Sequence, residues 1–364
     1  MQPAAAIEDV RARCFRIPTE TPEADGTLAW DSTTLVLVEA SAGGRCGLGY
    51  AYADAAARSV VQELLAGVAV GQTAFDIPRL NLAMTRAVRN LGRAGVCAGA
   101  ISAVDAALWD LKAKLIGIAL VDLLGRHRDE IAIYGSGGFT SEPDDRLERQ
   151  LAGWVADDGC AAVKMKVGSR PDDDRQRVRR ARGAIGAAAL YIDANGALAR
   201  KQALDFAAFC HEFGVAWFEE PVSSDDLAGL RLLRDRAPPG MEIAAGEYGY
   251  DAAYFRTMLE AQAVDVVQAD ATRCGGITGF MQVAAVADAF MVPLSAHTAP
   301  ALHCHPACAA PRMRNVEWFY DHVRIERMLF EGAPLPQDGA IRPDRSRPGL
   351  GLEFKARDAE RYAI

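Results

Sequence analysis

Eight short apolar runs recur between residues 131 and 319, and their spacing constrains the fold more than any other feature of the chain. They read IAIYGS, AAVKMKV, LYIDANG, VAWFEEP, EIAAGE, VDVVQAD, VPLSAH and NVEWF, with helical stretches between them. From the second run onward each closes on a polar residue: Lys166, Asp193, Glu219, Glu247, Asp270, His297 and Glu317. Successive positions lie 27, 26, 28, 23, 27 and 20 residues apart. A strand of about 5 residues, a helix of about 10–12 and two short loops fill such an interval. The pattern is that of parallel βα units, and eight of them close into an α/β barrel of the (β/α)8 type over residues 129–330. RLERQLAGWVADD, DDRQRVRRARGAI, KQALDFAAFCHEF, LAGLRLLRDR and GFMQVAAVADAF carry the helical periodicity of the crossovers.

The flanking segments have a different texture. Residues 1–128 read as a small α+β domain. IEDVRARCFRI, STTLVLVEAS and CGLGYAYA suit an antiparallel meander, with PTETPEADGTLAWD as a polar loop after the first strand. In AGAISAVDAALWDLKAKLIGIALVDLLG, residues Ile101, Val104, Ala107, Leu108, Leu111 and Leu115 fall at spacings of three and four, predicting one buried helical stripe. Residues 331–364, with Pro336, Pro343 and Pro348, look irregular and are expected to return to the first domain.

A length of 364 residues fits about two domains. Net charge is −8, so the basic footprint of a nucleic-acid or anionic-membrane binder is missing. No apolar run reaches the roughly 18 residues of a membrane span. Glu8 and Asp9 stand where a secretion signal would be basic and then apolar, so a cytoplasmic protein is expected. The eight dispersed cysteines form no CxxC pair and read as reduced, mostly buried thiols.

Functional side chains of such barrels sit at the carboxyl ends of the strands, and here seven of the eight ends are ionisable. Lys164 and Lys166 lie two apart, hence on one face of a strand. Mutual repulsion and desolvation are expected to lower the pKa of Lys166 toward that of a general base. Asp193, Glu219 and Glu247 end successive strands, and their convergence calls for a divalent cation. All-oxygen ligation selects Mg²⁺, with Mn²⁺ as the other acceptable ion. Glu220 follows Glu219, and strand alternation sends it to the opposite side. Asp270 and His297 end adjacent strands, where a carboxylate on one imidazole nitrogen makes the other a better base. Glu317, if protonated, would donate to a developing oxyanion. His303, Cys304, His305 and Cys308 have zinc-binding side chains, but at helical spacing neighbours point apart, and helix packing is the expectation.

Taken together these motifs resemble the enolase superfamily and, within it, the mandelate racemase subgroup. The resemblance runs through the helix AVDAALWDLKAKLIG, Lys164-x-Lys166, Asp193-Ala-Asn195, Glu219-Glu220-Pro221, Gly246-Glu247, Asp270 with GGIT following, His297 and Glu317. It implies a capping domain over a modified barrel and a Mg²⁺-stabilised enediolate. It implies Lys166 as the base on one face of the α-carbon and His297, oriented by Asp270, as acid or base on the other. Asp193, Glu219 and Glu247 would hold the metal, Asn195 would contact a substrate hydroxyl, and Glu317 the substrate carboxylate. The implied partner is a small hydroxy-carboxylate, and the implied assembly a homo-oligomer. Both proton-transfer groups suit racemisation of a 2-hydroxy acid as well as dehydration of an acid sugar. Dehydration is preferred, because the first-domain loop (Thr19, Glu20, Thr21, Glu23, Asp25, Thr27) is polar with Trp30 its only aromatic. A catalytically silent barrel is disfavoured because no key residue is lost. Cycloisomerases and dipeptide epimerases rank lower because Asp270 stands where they typically carry lysine.

Overall fold

The computed structural model describes residues 5–364. The capping sheet is an antiparallel meander of β1 (Asp9–Ala24), β2 (Ala29–Ala42) and β3 (Arg45–Tyr52). PTETPEADGTLAWD is therefore no loop. Pro18 still pairs with Ser32, a bulge follows, and the ladder resumes at Glu23 opposite Trp30. β1 is an edge strand, where a proline removes no ladder bond. Only Asp25–Leu28 turn, and Asp25 Oδ1 accepts from the amides of Thr27 and Leu28.

The helix Val96–Ile116 shows more than the expected stripe. Ile101, Val104, Ala107, Leu108 and Leu111 are buried, but so are Ala98, Ala100, Ala103, Ala106 and Ala113. It lies between the capping sheet and the barrel helix Gly276–Ala289, so both of its faces are covered. Ala103 and Ala107 lie close against Gly49 and Gly47 of β3, where a Cβ on either glycine would stand within 2.3 Å of helix carbonyl oxygens. Ser102, Asp105 and Trp109 bond to the start of the barrel helix.

The barrel strands are β4 (Ile131–Gly137), β5 (Ala162–Lys166), β6 (Ala189–Asp193), β7 (Val215–Glu219), β8 (Glu242–Ala245), β9 (Val266–Ala269), β10 (Leu294–Ala296) and β11 (Met313–Phe319). Each pairs parallel with the next, and β11 closes on β4 with Val316 opposite Ile133. The five helices expected between strands form, as do Ala252–Glu260, Pro300–Ala309 and Tyr320–Leu329. Period-two alternation decides what fills the barrel. Two residues before Lys164, Asp193 and Glu219 stand Ala162, Tyr191 and Trp217, which pack with Tyr134, Ala244 and Val266 into a separate apolar cluster. Tyr191 stacks on Trp217 at 5.0 Å. An aromatic floor thus lies beneath the polar strand ends.

Three sets of contacts hold the cap on the barrel. The hairpin tip rests on the strand-end loops: Thr140 donates its amide to Ala24 O at 2.8 Å, and Trp30 packs edge-on against Phe139. A Cβ on Gly26 would stand 2.2 Å from Ala194 O and 2.7 Å from Val167 O. Glu326 bridges the two parts more deeply, accepting from the Tyr50 hydroxyl at 2.5 Å and from the Ala301 amide at 2.9 Å. The carboxyl-terminal segment returns to both parts rather than to the cap alone. Ile341 pairs with Ile131 of β4, Leu350 N donates to Asp110, and Ile364 N donates to Cys14 O.

Two outcomes follow for stability. Gly26→Ala should destabilise by about 1–3 kcal/mol through overpacking, whereas Gly67→Ala, in a helix with open space around it, should be neutral or stabilising by up to about 1 kcal/mol. Urea unfolding of the two variants checks this, and equal effects would contradict the docking of the tip. Burial pushes the Glu326 carboxyl from an ordinary 4.5 up to about 8, against the bonds from Tyr50 and Ala301. The native chain thus keeps a proton that the unfolded chain has released. Stability from this group is complete below pH 4.5 and is lost as pH rises toward 8. Glu326→Gln preserves a donor and an acceptor there and should flatten that part of the urea-midpoint profile.

Candidate active site

The carboxyl ends of the strands bring together every residue expected at the site. Lys164 and Lys166 point inward from β5, but their surroundings differ from the expectation. Lys164 Nζ lies 2.6 Å from Glu219, 2.8 Å from Glu317 and 3.6 Å from Asp193. Lys166 Nζ lies 2.5 Å from Asp193 Oδ2. Burial alone would lower both lysines, yet Glu219 and Glu317 hold Lys164, and Asp193 holds Lys166, above the usual lysine value. Asp193 thus opposes the expected depression of Lys166 by Lys164, because an ion pair at hydrogen-bond distance outweighs repulsion between the two ammonium groups. A cation engaging Asp193 would draw that carboxylate charge away from Lys166.

Asp193, Glu219 and Glu247 offer carboxylate oxygens within 4.8 Å of one another, all buried. Glu247 follows β8 by two residues, and its Oε2 is buried without a hydrogen-bond partner. An all-oxygen set of this size, with one orphaned oxygen, fits a hard divalent cation. Among the described residues this is the only such cluster. Glu220 does not turn away as alternation predicts. Its φ is 35°, which ends the strand pattern, and the side chain is buried. Burial and the nearby Glu247 and Asp193 carboxylates push its pKa well above the usual range, so it resists adding a further charge.

His297 Nδ1 sits 2.9 Å from Asp270 Oδ2, as the sequence implies, and its Nε2 is 3.3 Å from Glu247 Oε2. Although burial opposes it, the hydrogen bond and charge of His297 hold Asp270 well below the carboxylate range. Glu317 departs from the expectation of a protonated donor. Burial alone would raise it, but Lys164 and His297 keep it ionised and low. It accepts from Ser136 Oγ at 2.6 Å and from Thr298 N at 3.1 Å. Asn195 donates its amide to Asp193 Oδ1 at 2.8 Å, and its side-chain oxygen is buried without a partner, free to accept from a ligand. His303, Cys304, His305 and Cys308 are all buried in the helix Pro300–Ala309, and their ligand atoms do not converge as those of Asp193, Glu219 and Glu247 do.

Sequence reasoning missed four groups. Ser136 supports Glu317, and Trp217 donates to Glu219 Oε2 at 3.0 Å. Arg273 stands 3.5 Å from Glu247 and 3.6 Å from Asp270. Ser136 and Trp217 lie on the inward register, which alternation reveals; Arg273 carries no such mark. The fourth is Tyr52. It lines, with Tyr248, Tyr254, Thr272 and Arg273, a cavity of about 480 Å³ between cap and barrel, which adjoins the site at Arg273 but is not lined by its lysines, carboxylates or His297. Trp30 instead donates to the buried Glu23 and supports the hairpin. The aromatic groups of that neighbouring cavity are tyrosines, which offer hydroxyls as well as faces.

Family models describe the same architecture. Residues 9–125 match the mandelate racemase/muconate lactonizing enzyme N-terminal domain, and residues 146–359 the enolase C-terminal domain-like family. The chain belongs to the mandelate racemase subgroup of the enolase superfamily, a group of lyases and isomerases. Two relatives resemble it over nearly their whole length. An L-talarate/galactarate dehydratase of Salmonella typhimurium is 30% identical over 96% of this chain and 90% of its own. A 3,6-anhydro-alpha-L-galactonate cycloisomerase of Streptomyces coelicolor is 31% identical over 96% and 98%. The crystal structure of a mandelate racemase/muconate lactonizing enzyme-like protein from Rubrobacter xylanophilus superposes with a TM-score of 0.96 at 52% identity, covering 99% of this chain and 100% of that one. A racemase from Streptomyces coelicolor with bound magnesium superposes with a TM-score of 0.92 at 30% identity, covering 98% and 100%.

The carboxylate triad generates a binding prediction independent of turnover. Mg²⁺ at about 100 times its dissociation constant should stabilise the protein by about 2.7 kcal/mol, read as a rise in melting temperature over an EDTA control. Glu219→Gln should lose most of that rise. A wild-type protein indifferent to Mg²⁺ would contradict the reading of the cluster.

Proposed function

We propose that the protein is a Mg²⁺-dependent acid-sugar dehydratase that removes the α-proton of a hydroxy-carboxylate and expels its β-hydroxyl, giving a 2-keto-3-deoxy acid. The observation that carries this reading is the convergence of two proton-handling groups on one buried triad. Lys166 is paired with Asp193, and the His297–Asp270 dyad reaches Glu247. Removing a proton α to a carboxylate creates a dianionic enediolate, and charge must be met where it develops. Asp193, Glu219 and Glu247 would hold Mg²⁺, which would supply Lewis-acid stabilisation there. Lys166, as the neutral amine, accepts the α-proton. Lys164, fixed between Glu219 and Glu317, keeps a permanent positive charge beside the substrate carboxylate. His297, its tautomer set by Asp270, gives a proton to the leaving hydroxyl. Glu317 acts as an anion, orienting Lys164 and the Thr298 amide, while the unpaired Asn195 oxygen accepts from a substrate hydroxyl. The aromatic floor excludes water beneath the reacting carbon.

Cycloisomerisation is the second reading, favoured by the equal similarity to the cycloisomerase. The same α-proton abstraction then expels a ring oxygen, and the product is an isomer. Incubation of a panel of hexarates, hexonates and pentonates, together with sugar-acid lactones and anhydro sugar acids, with Mg²⁺ separates the outcomes. A dehydratase yields keto acid from at least one of them, with solvent deuterium at C3 in ²H₂O. His297→Asn should lower its rate by at least about 10²-fold. Deuterium at C2 with inversion and no keto acid would establish racemisation instead. A ring-opened isomer formed from a lactone or anhydro sugar acid, with no water lost, would establish cycloisomerisation.

A further inference from the structure

Thr298 and Ala299, the two residues after His297, have φ of 50° and 41°, although neither is glycine. L side chains adopt this left-handed region only where the surroundings impose it. One imidazole engages the carbonyls of both residues. His303 Nδ1 lies 2.8 Å from Thr298 O and 3.1 Å from Ala299 O, and both oxygens can only accept. The opposite nitrogen, Nε2, accepts from the Ala271 amide at 2.8 Å. Ala271 follows Asp270. A single ring therefore ties the backbone next to one member of the dyad to the backbone next to the other.

From this geometry we infer that His303 is a positioning residue that sets the His297–Asp270 pair, and this rests on the reading of that pair as the acid–base group. The partners require one neutral tautomer, with the proton on Nδ1 and Nε2 bare. The ring is fully buried beside Phe280, and burial lowers its pKa, which favours the uncharged form. Its Nε2 is 4.0 Å from Asp270 Oδ1, beyond hydrogen-bond reach, so it takes nothing from the carboxylate. Asp270 is left to receive Thr272 N at 2.7 Å and His297 at 2.9 Å. A displacement of about 1 Å in such a pair is enough to cost about 10²-fold in rate.

The tautomer is tested first, in the Mg²⁺-loaded wild-type protein, because it needs neither substrate nor variant. ¹⁵N-histidine NMR at neutral pH should show His303 as the Nδ1-protonated neutral ring. The opposite tautomer, or an imidazolium, would overturn the inference whatever the enzyme's substrate. His303→Leu removes both bonds, and His303→Gln restores an acceptor toward Ala271. Amide exchange at Ala271 should accelerate in the leucine variant and recover in the glutamine variant, a result independent of the reaction assigned to the site. With the acid sugar identified in the panel, the leucine variant should lose about 10²-fold in kcat with KM changed less than about threefold. Deuterium exchange at C2 from the Lys166 side should persist, and glutamine should recover part of kcat. Wild-type kcat in the leucine variant, or equal loss of C2 exchange and elimination, would refute a role through the dyad. If the leucine variant does not fold, the tautomer and the glutamine variant's Ala271 exchange still decide the matter.

Discussion

Burial of like charges at one end of the barrel is the constraint on which the rest of the structure depends. Asp193, Glu219, Glu220, Glu247, Asp270 and Glu317 are all buried within a few residues of the strand ends, against the cations Lys164, Lys166 and Arg273. Six acids facing three cations leave a deficit that protein groups do not fill. Ionising every carboxyl above an aromatic floor would be prohibitive. The chain responds in two ways. Glu220 is pushed toward its neutral form, and Asp193, Glu219 and Glu247 are gathered into a space suited to a divalent ion.

The same burial explains why the cap belongs to the site. A barrel mouth open to water would screen these interactions, including those proposed to stabilise an enediolate. The hairpin tip, the Tyr50–Glu326 contact and the doubly packed helix Val96–Ile116 close that end with polar contacts as well as apolar area. Glycine at position 26 is set by the carbonyl oxygens that end β5 and β6, so the cap touches the loops that carry Lys166 and Asp193.

Backbone strain marks where the barrel has been bent to the needs of its side chains. Asn195, Glu220, Thr298 and Ala299 all have positive φ, and each lies one to three residues past a strand end. Ordinary alternation would aim Glu220 and Thr298 away from the centre, and Asn195 and Ala299, two residues after Asp193 and His297, toward it. Left-handed turns keep Glu220 buried near the triad and leave the Asn195 oxygen unpaired. The strain is held in place by neighbours, as the Glu317 carboxylate holds the Thr298 amide.

How much of this was legible in the sequence follows from the range of the forces involved. Strand alternation, helical periodicity and the recurrence of polar strand ends are local patterns, so the barrel and Lys164, Lys166, Asp193, Glu219, Glu247, Asp270, His297 and Glu317 could be read from residue spacing. Trp217 and Ser136 lay within reach of the same alternation. Protonation states were not, because they depend on through-space distances: Lys166 is held up by Asp193, and Glu317 is ionised by Lys164, partners from other strands. The extension of the hairpin through Pro18 was hidden as well, since a polar, proline-containing run resembles a loop until its partner strand is known. The spacing of His303 favoured helix packing over a metal site, but only the tertiary structure put its two nitrogens between the loops of Asp270 and His297. Local chemistry chose the residues, and the closure of the barrel chose which charges would meet.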